Sequence, residues 1–90
     1  MARPRRMDHL IQHNMDEEVL VYDPVVDRTH RLNVSATRIW ALCDGTRSLE
    51  DIARMLTEQF EVEFGTALQD ARAVLEQLKE EQLLTGLPVA

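Results

Sequence analysis

"DRTHRLNVSATRIWALCDGTRSLEDIA", residues 27–53, decides how this chain folds. Asp27-Arg28 closes a turn, and Thr29 to Asn33 reads as a short, largely polar strand that runs almost directly into a helix. Ser35 stands where a helix cap belongs. After it Ala36, Ile39, Trp40 and Cys43 share one face, with Leu42 beside them. Gly45 ends that helix in the manner of a C-terminal glycine. Ser48 with Asp51 three residues later resembles a capping box, aspartate replacing the usual longer glutamate, and opens a second helix. A strand with so little apolar surface beside so regular a helical core poses a question. As scaffolding alone, its outward residues need no particular character. As a sheet edge, its unpaired N–H and C=O groups can be the working part.

Toward the N-terminus, "EEVLVYD" (residues 17–23) has β-branched and aromatic strand character in Val19, Leu20, Val21 and Tyr22. Asp23-Pro24 starts the turn that Asp27-Arg28 completes. Residues 8–14 fit no single period, because Leu10 and Ile11 are adjacent. Toward the C-terminus, Ile52, Ala53, Leu56 and Phe60 form the stripe of the second helix. "EVEFG" links it to a third helix, expected to open at Gly65-Thr66 with Thr66 and Gln69 as its capping pair. Leu68, Ala71, Leu75 and Leu78 line the inner face of that helix, Ala67 and Val74 widen it, and residues 82–84 end it. The expected organisation is a loose basic tail over 1–7, one domain over 8–85 and a short tail over 86–90. The expected fold class is α+β, winged helix-turn-helix-like, with a two- or three-stranded antiparallel sheet followed by three helices.

Ninety residues of which 44% are hydrophobic suffice for one core and no more. The basic start lacks the apolar stretch and cleavage site of a secretory signal, and no apolar run reaches membrane-spanning length. A single cysteine, Cys43, permits no internal disulfide and suits a reducing cytoplasm. At Cys43 and Trp40 the helical spacing points to core packing rather than chemistry. His9 and His13 have the spacing of a helical metal pair, but no cysteine- or carboxylate-rich motif accompanies them. Glu80-Glu81 reads as a solvated helix end. With no phosphate loop, CxxC or nucleophile elbow, neither catalysis nor a cofactor is expected.

The run "RLNVSATRIWALCDGTRSLEDIARML" (31–56), followed by a helix ending "LEQLKEEQLL" (75–84), resembles the PqqD family of small peptide-binding proteins. The matching elements are Leu32-Asn33, the helix with Ile39, Trp40 and Leu42, the Asp44-Gly45 turn, Ser48-Leu49 with Ile52-Ala53, and the closing Gln82-Leu83-Leu84. The resemblance extends from Glu18 to Leu84. It implies a domain that recognises the leader of a ribosomally made precursor peptide and presents it to a modifying enzyme, often a radical S-adenosylmethionine enzyme. In that family the leader adds as a strand beside the third strand and lies against the third helix. The implied contacts are Arg28, Thr29, His30, Arg31, Leu32 and Asn33 on the strand, and Leu68, Arg72, Leu75 and Lys79 on the helix.

Four or five added strand hydrogen bonds contribute roughly 0.5–1.5 kcal/mol each. Micromolar binding needs about 8 kcal/mol net of the cost of ordering the peptide. Apolar contacts must therefore contribute, and Leu32, Leu68 and Leu75 are the expected source. Arg28, Arg31, Arg72 and Lys79 are expected to attract acidic leader residues. An open strand edge can also pair with a second copy of the chain.

The alternative reading is a winged-helix DNA-binding regulator, whose third helix would enter the major groove. Its exposed positions carry Asp70, Glu76, Glu80 and Glu81 against Arg72 and Lys79. The net charge is −6, and Arg3, Arg5 and Arg6 all lie in the opening segment, so the rest is more acidic still. Phosphate contacts need cations, and this balance disfavours nucleic acid.

Overall fold

A computed structural model of the chain describes residues 3–86. In order come β1 (Arg5–Arg6), β2 (Ile11–Met15), β3 (Glu18–Asp23), β4 (Arg28–Leu32), α1 (Val34–Ala41), α2 (Leu49–Gln59), α3 (Phe64–Glu80) and β5 (Leu84–Thr85). β2, β3 and β4 form an antiparallel sheet in that spatial order, while β1 pairs only with β5. The front of the chain thus holds three hairpin strands, and three helices follow, as expected for the α+β class.

Local chemistry explains each junction. Met15 pairs with Glu18 across a two-residue turn in which Asp16 takes the left-handed conformation (φ 53°). In the β3–β4 loop Asp27 does the same (φ 54°), and its carboxylate accepts a 2.9 Å bond from the Tyr22 hydroxyl. That bond raises the Tyr22 pKa. Along β3, Val19, Val21 and Asp23 alternate into the interior. The first helix is capped by Asn33 rather than Ser35: the Asn33 side chain accepts from the Ala36 N–H at 2.8 Å. Asn33 is still extended as the chain leaves β4, so the helix starts without a linker. The Ser48–Asp51 capping box is complete, and its hydrogen bonds lower the Asp51 pKa. In α3 the expected opening at Gly65-Thr66 gives way to a start at Phe64. Glu63 is the cap residue and makes no side-chain bond, and Thr66 lies within the first turn.

The core joins Val19, Val21 and Leu32 of the sheet to Ile39, Trp40 and Cys43, to Ile52 and Leu56, and to Ala71, Leu75 and Leu78. Leu83 and Leu84 close it from the C-terminal side. At one corner Thr37 stitches sheet to helix: its hydroxyl accepts from the Val19 N–H at 3.2 Å and donates to the Leu32 carbonyl at 3.1 Å.

Residues 3–7 are not the loose tail expected from their composition. Arg3 N–H bonds the Gly86 carbonyl, Arg6 N–H that of Cys43 and Met7 N–H that of Leu83, each at 3.1 Å. Pro4 is buried. The Arg6 guanidinium donates to the carbonyls of Trp40 at 2.9 Å and Ala41 at 3.1 Å, satisfying the open C-terminal end of α1. Gly86 belongs to the same zipper, since a Cβ there would fall 2.3 Å from the Arg3 carbonyl oxygen. The remaining tail positions, 1–2 and 87–90, lie outside the described residues.

Candidate functional site

The sheet has two outer strands, and β4 is the one flanked by α3. The contact that fixes this is between His30 Nδ1 and Glu81 Oε2 at the end of the helix. Further along, Ser35, three residues past the end of β4, shares a cavity with Asp70 in the first half of α3. β4 and the start of α1 therefore run antiparallel to α3, and the seam between strand edge and helix is the candidate groove.

Which backbone groups of β4 face that groove follows from the ladder. Val19 directs its N–H toward the Leu32 carbonyl through the Thr37 hydroxyl. Val19, Val21 and Asp23, opposite Leu32, His30 and Arg28, then bond across to β4. The β2 hairpin agrees, because the residues flanking a two-residue turn form a bonded pair, turning Glu18 toward β2. Alternation leaves the N–H and C=O groups of Thr29 and Arg31 pointing out from the sheet edge. Their side chains lie on the solvent face, whereas His30 and Leu32 face the helices.

The two anchors also identify the flank of α3 beside the strand. At 100° per residue, Asp70, Val74, Gln77 and Glu81 fall on one side of the helix. Arg72 and Lys79 stand about 200° round from Asp70 and Glu81, on the opposite flank. Leu68 is half-buried on that same far side. Leu75 is buried at 3% exposure and belongs to the core. Of the ten residues expected at the site, Thr29 and Arg31 present backbone groups at the strand edge, His30 and Leu32 turn their side chains inward, and Leu68, Arg72 and Lys79 stand on the flank of α3 away from Glu81. Arg31 is engaged on the outer sheet face, its guanidinium holding Glu18 Oε1 at 2.6 and 3.0 Å. Of the basic residues expected there, Arg28 remains on the strand, exposed at its start.

Beyond the end of β4 the groove opens into the cavity, of about 150 Å³. Ile39, Leu56 and Phe60 form its apolar wall, and Arg38 and Asp70 stand among its lining. Arg38 lies over the Phe60 ring, 3.8 Å from its centroid, holding that wall in place. Nothing in the sequence marks the cavity, because its lining comes from three helices and the link between the last two.

The remaining candidates sort by geometry. His13 lies in β2 and His9 in a turn, so the two do not form a helical pair; His9 Nε2 instead meets Asp23 Oδ1 at 3.1 Å. Among the described residues no cluster of metal-ligating side chains occurs. Cys43 is fully buried, its thiol donating to the Ile39 carbonyl, and burial pushes its pKa up to about 12. Arg5 and Arg6, two of the three arginines of the opening segment, are used internally, Arg5 by Asp8 and Arg6 by the end of α1. No helix among the described residues is long and apolar enough to cross a membrane.

Residues 18–84 match the family described as coenzyme PQQ synthesis protein D (PqqD). Among solved structures, the chain is similar to TbiB1 in complex with the TbiA(beta) leader peptide. The identity is 24% and the TM-score 0.83, covering 94% of this chain and 99% of that one. It is similar also to a lasso peptide synthetase B1 complexed with the leader peptide. There the identity is 28% and the TM-score 0.80, covering 97% of this chain and 100% of that one. No curated protein matches the chain.

Proposed function

The chain belongs to the PqqD family, and from that premise we propose that it is a leader-peptide-binding adaptor. It takes the leader of a ribosomally made precursor as an added strand along β4 and presents it to a modifying enzyme, such as a radical S-adenosylmethionine enzyme. It has no catalytic step of its own, in keeping with its family. The observation that carries the reading is the free edge of β4, with Thr29 and Arg31 offering donors and acceptors beside the Val74 flank of α3. A bound strand gains backbone pairing from the edge. Every second side chain of that strand then turns inward, toward Val74 and Gln77 and, at the far end, toward the cavity. That apolar contact supplies what the hydrogen bonds lack. Two structural neighbours were solved with leader peptides bound, which supports leader binding by this fold.

The test is a titration of dye-labelled candidate leader peptides followed by fluorescence anisotropy. Arg31→Pro removes an outward donor and should weaken binding at least about tenfold while the domain stays folded. His30→Pro removes a donor to β3 and should damage the fold itself. If a folded Arg31→Pro variant binds as tightly as the parent, strand addition at β4 is refuted.

A further inference from the structure

The other outer strand, β2, has a character that leader binding at β4 does not use. All five of its residues, Ile-Gln-His-Asn-Met, are exposed. Exposed edges are ordinarily protected by lysine, proline or a covering segment. β2 has no lysine, arginine, carboxylate or proline, in a chain of net charge −6. Among the described residues only β3 pairs with it. Its sequence is also self-complementary about its centre. We propose that a second copy of this chain pairs with β2, antiparallel about a two-fold axis at His13, joining two three-stranded sheets into one of six.

The register follows from the hairpin. Met15 bonds toward β3, and so by alternation do His13 and Ile11, which leaves the N–H and C=O groups of Gln12 and Asn14 facing outward. Centring the pair on His13 sets Gln12 opposite the partner's Asn14, and Asn14 opposite the partner's Gln12, as bonded pairs. Every outward group of the strand is thereby satisfied, and His13 meets its own copy as the close, non-bonded pair. On the outer sheet face Ile11, 49% exposed, meets the partner's Met15, and Met15, 46% exposed, meets the partner's Ile11. On the inner face the Gln12 and Asn14 amides, already bonded to each other at 3.0 Å, meet the same two amides of the partner. Gln12 is further held by the Trp40 indole N–H at 2.9 Å, so the edge is fixed before association. The carboxylates of the turn, Asp16 and Glu17, fall beyond the paired stretch.

The same operation on β4 gives no comparable match. It would set Arg28 against the partner's Leu32 and bring two copies of α3, each with Glu81 beside the strand, to one edge. β2 is therefore the self-pairing edge and β4 is left for another ligand. A contact of two five-residue strands lies at the small end of interface sizes, below about 1,200 Å². The dimer should accordingly depend on concentration.

Sedimentation equilibrium of the full chain should show the mass rising with concentration from 10.4 kDa toward twice that value. His13→Glu, which opposes two carboxylates across the axis, should hold the chain monomeric without lowering its melting temperature. His13→Cys should form one disulfide-linked dimer on mild oxidation, while Gln12→Cys, whose copies lie apart in this register, should not. Arg31→Pro should leave the dimer intact, and this separates the proposal from leader binding at β4. A chain monomeric up to about 1 mM, where even weak strand contacts associate, would overturn it. So would a dimer untouched by His13→Glu or lost with Arg31→Pro, and so would two leader peptides bound per chain.

Discussion

The Trp40 indole is 2% exposed, and its N–H is satisfied by the Gln12 side chain, so one residue ties α1 to the far strand of the sheet. Trp40→Ala leaves a large cavity and should destabilise the domain by about 3–5 kcal/mol, read by chemical denaturation. That is most of what so small a domain has. A melt close to the parent's would mean that the ring is not buried. Cys43 gives a second check on the same region. Its thiol is fully buried and stays protonated far above neutral pH, so a thiol reagent at pH 8 should react only as the chain unfolds. Both positions were legible in the sequence, because helical spacing alone puts Trp40 and Cys43 on the inner face. The cap of α1 was not. Asn33 and Ser35 are equally good capping residues, and the choice depends on where β4 releases the chain.

At the scale of elements, the strand edge could be read from the sequence and the flank of α3 that lies beside it could not. The polar strand over 29–33 raised the edge as a possibility, and its role as a peptide contact came from the family resemblance. α3 has two flanks on either side of its apolar face, and periodicity does not say which one a distant strand will meet. The His30–Glu81 pair decides it, linking residues far apart in sequence. The expected helix contacts Leu68, Arg72 and Lys79 sit on the flank away from Glu81. Val74, noted in the sequence only as a widening of the core, stands beside the groove instead. Val74→Asp should therefore weaken leader binding about tenfold or more, the loss of one apolar contact plus the desolvation of a carboxylate. Arg72→Ala should leave it within about twofold, as expected for an exposed residue far from the ligand. Calorimetric titration of both variants with one leader peptide distinguishes the flanks. The reverse ranking would return the site to Arg72 and Lys79.

For the molecule as a whole, the hardest feature to read was how its two ends meet. Strands of two residues have no periodicity, and three arginines in six residues resemble a solvated tail. Instead β1 and β5 pair, Pro4 is buried, and Arg6 closes the end of α1 with its side chain and bonds Cys43 with its backbone. A charged donor on the Trp40 and Ala41 carbonyls contributes about 1.5–3 kcal/mol, and burial of the Pro4 ring adds about 1–2 kcal/mol. Removing residues 1–6 should thus cost on the order of 3 kcal/mol. For a domain of this size that lowers Tm by roughly 10–20 °C. Arg6→Ala alone should produce about half the effect, and Gly86→Ala, which forces the Arg3 carbonyl away, should loosen the same zipper from its other side. Neither change touches β4 or the Val74 flank, so below the lowered Tm leader affinity should stay within about twofold of the parent. A truncated chain that melts like the full one would restore the loose-tail reading. One that melts early and also loses the leader at low temperature would instead mean that the zipper helps to build the groove.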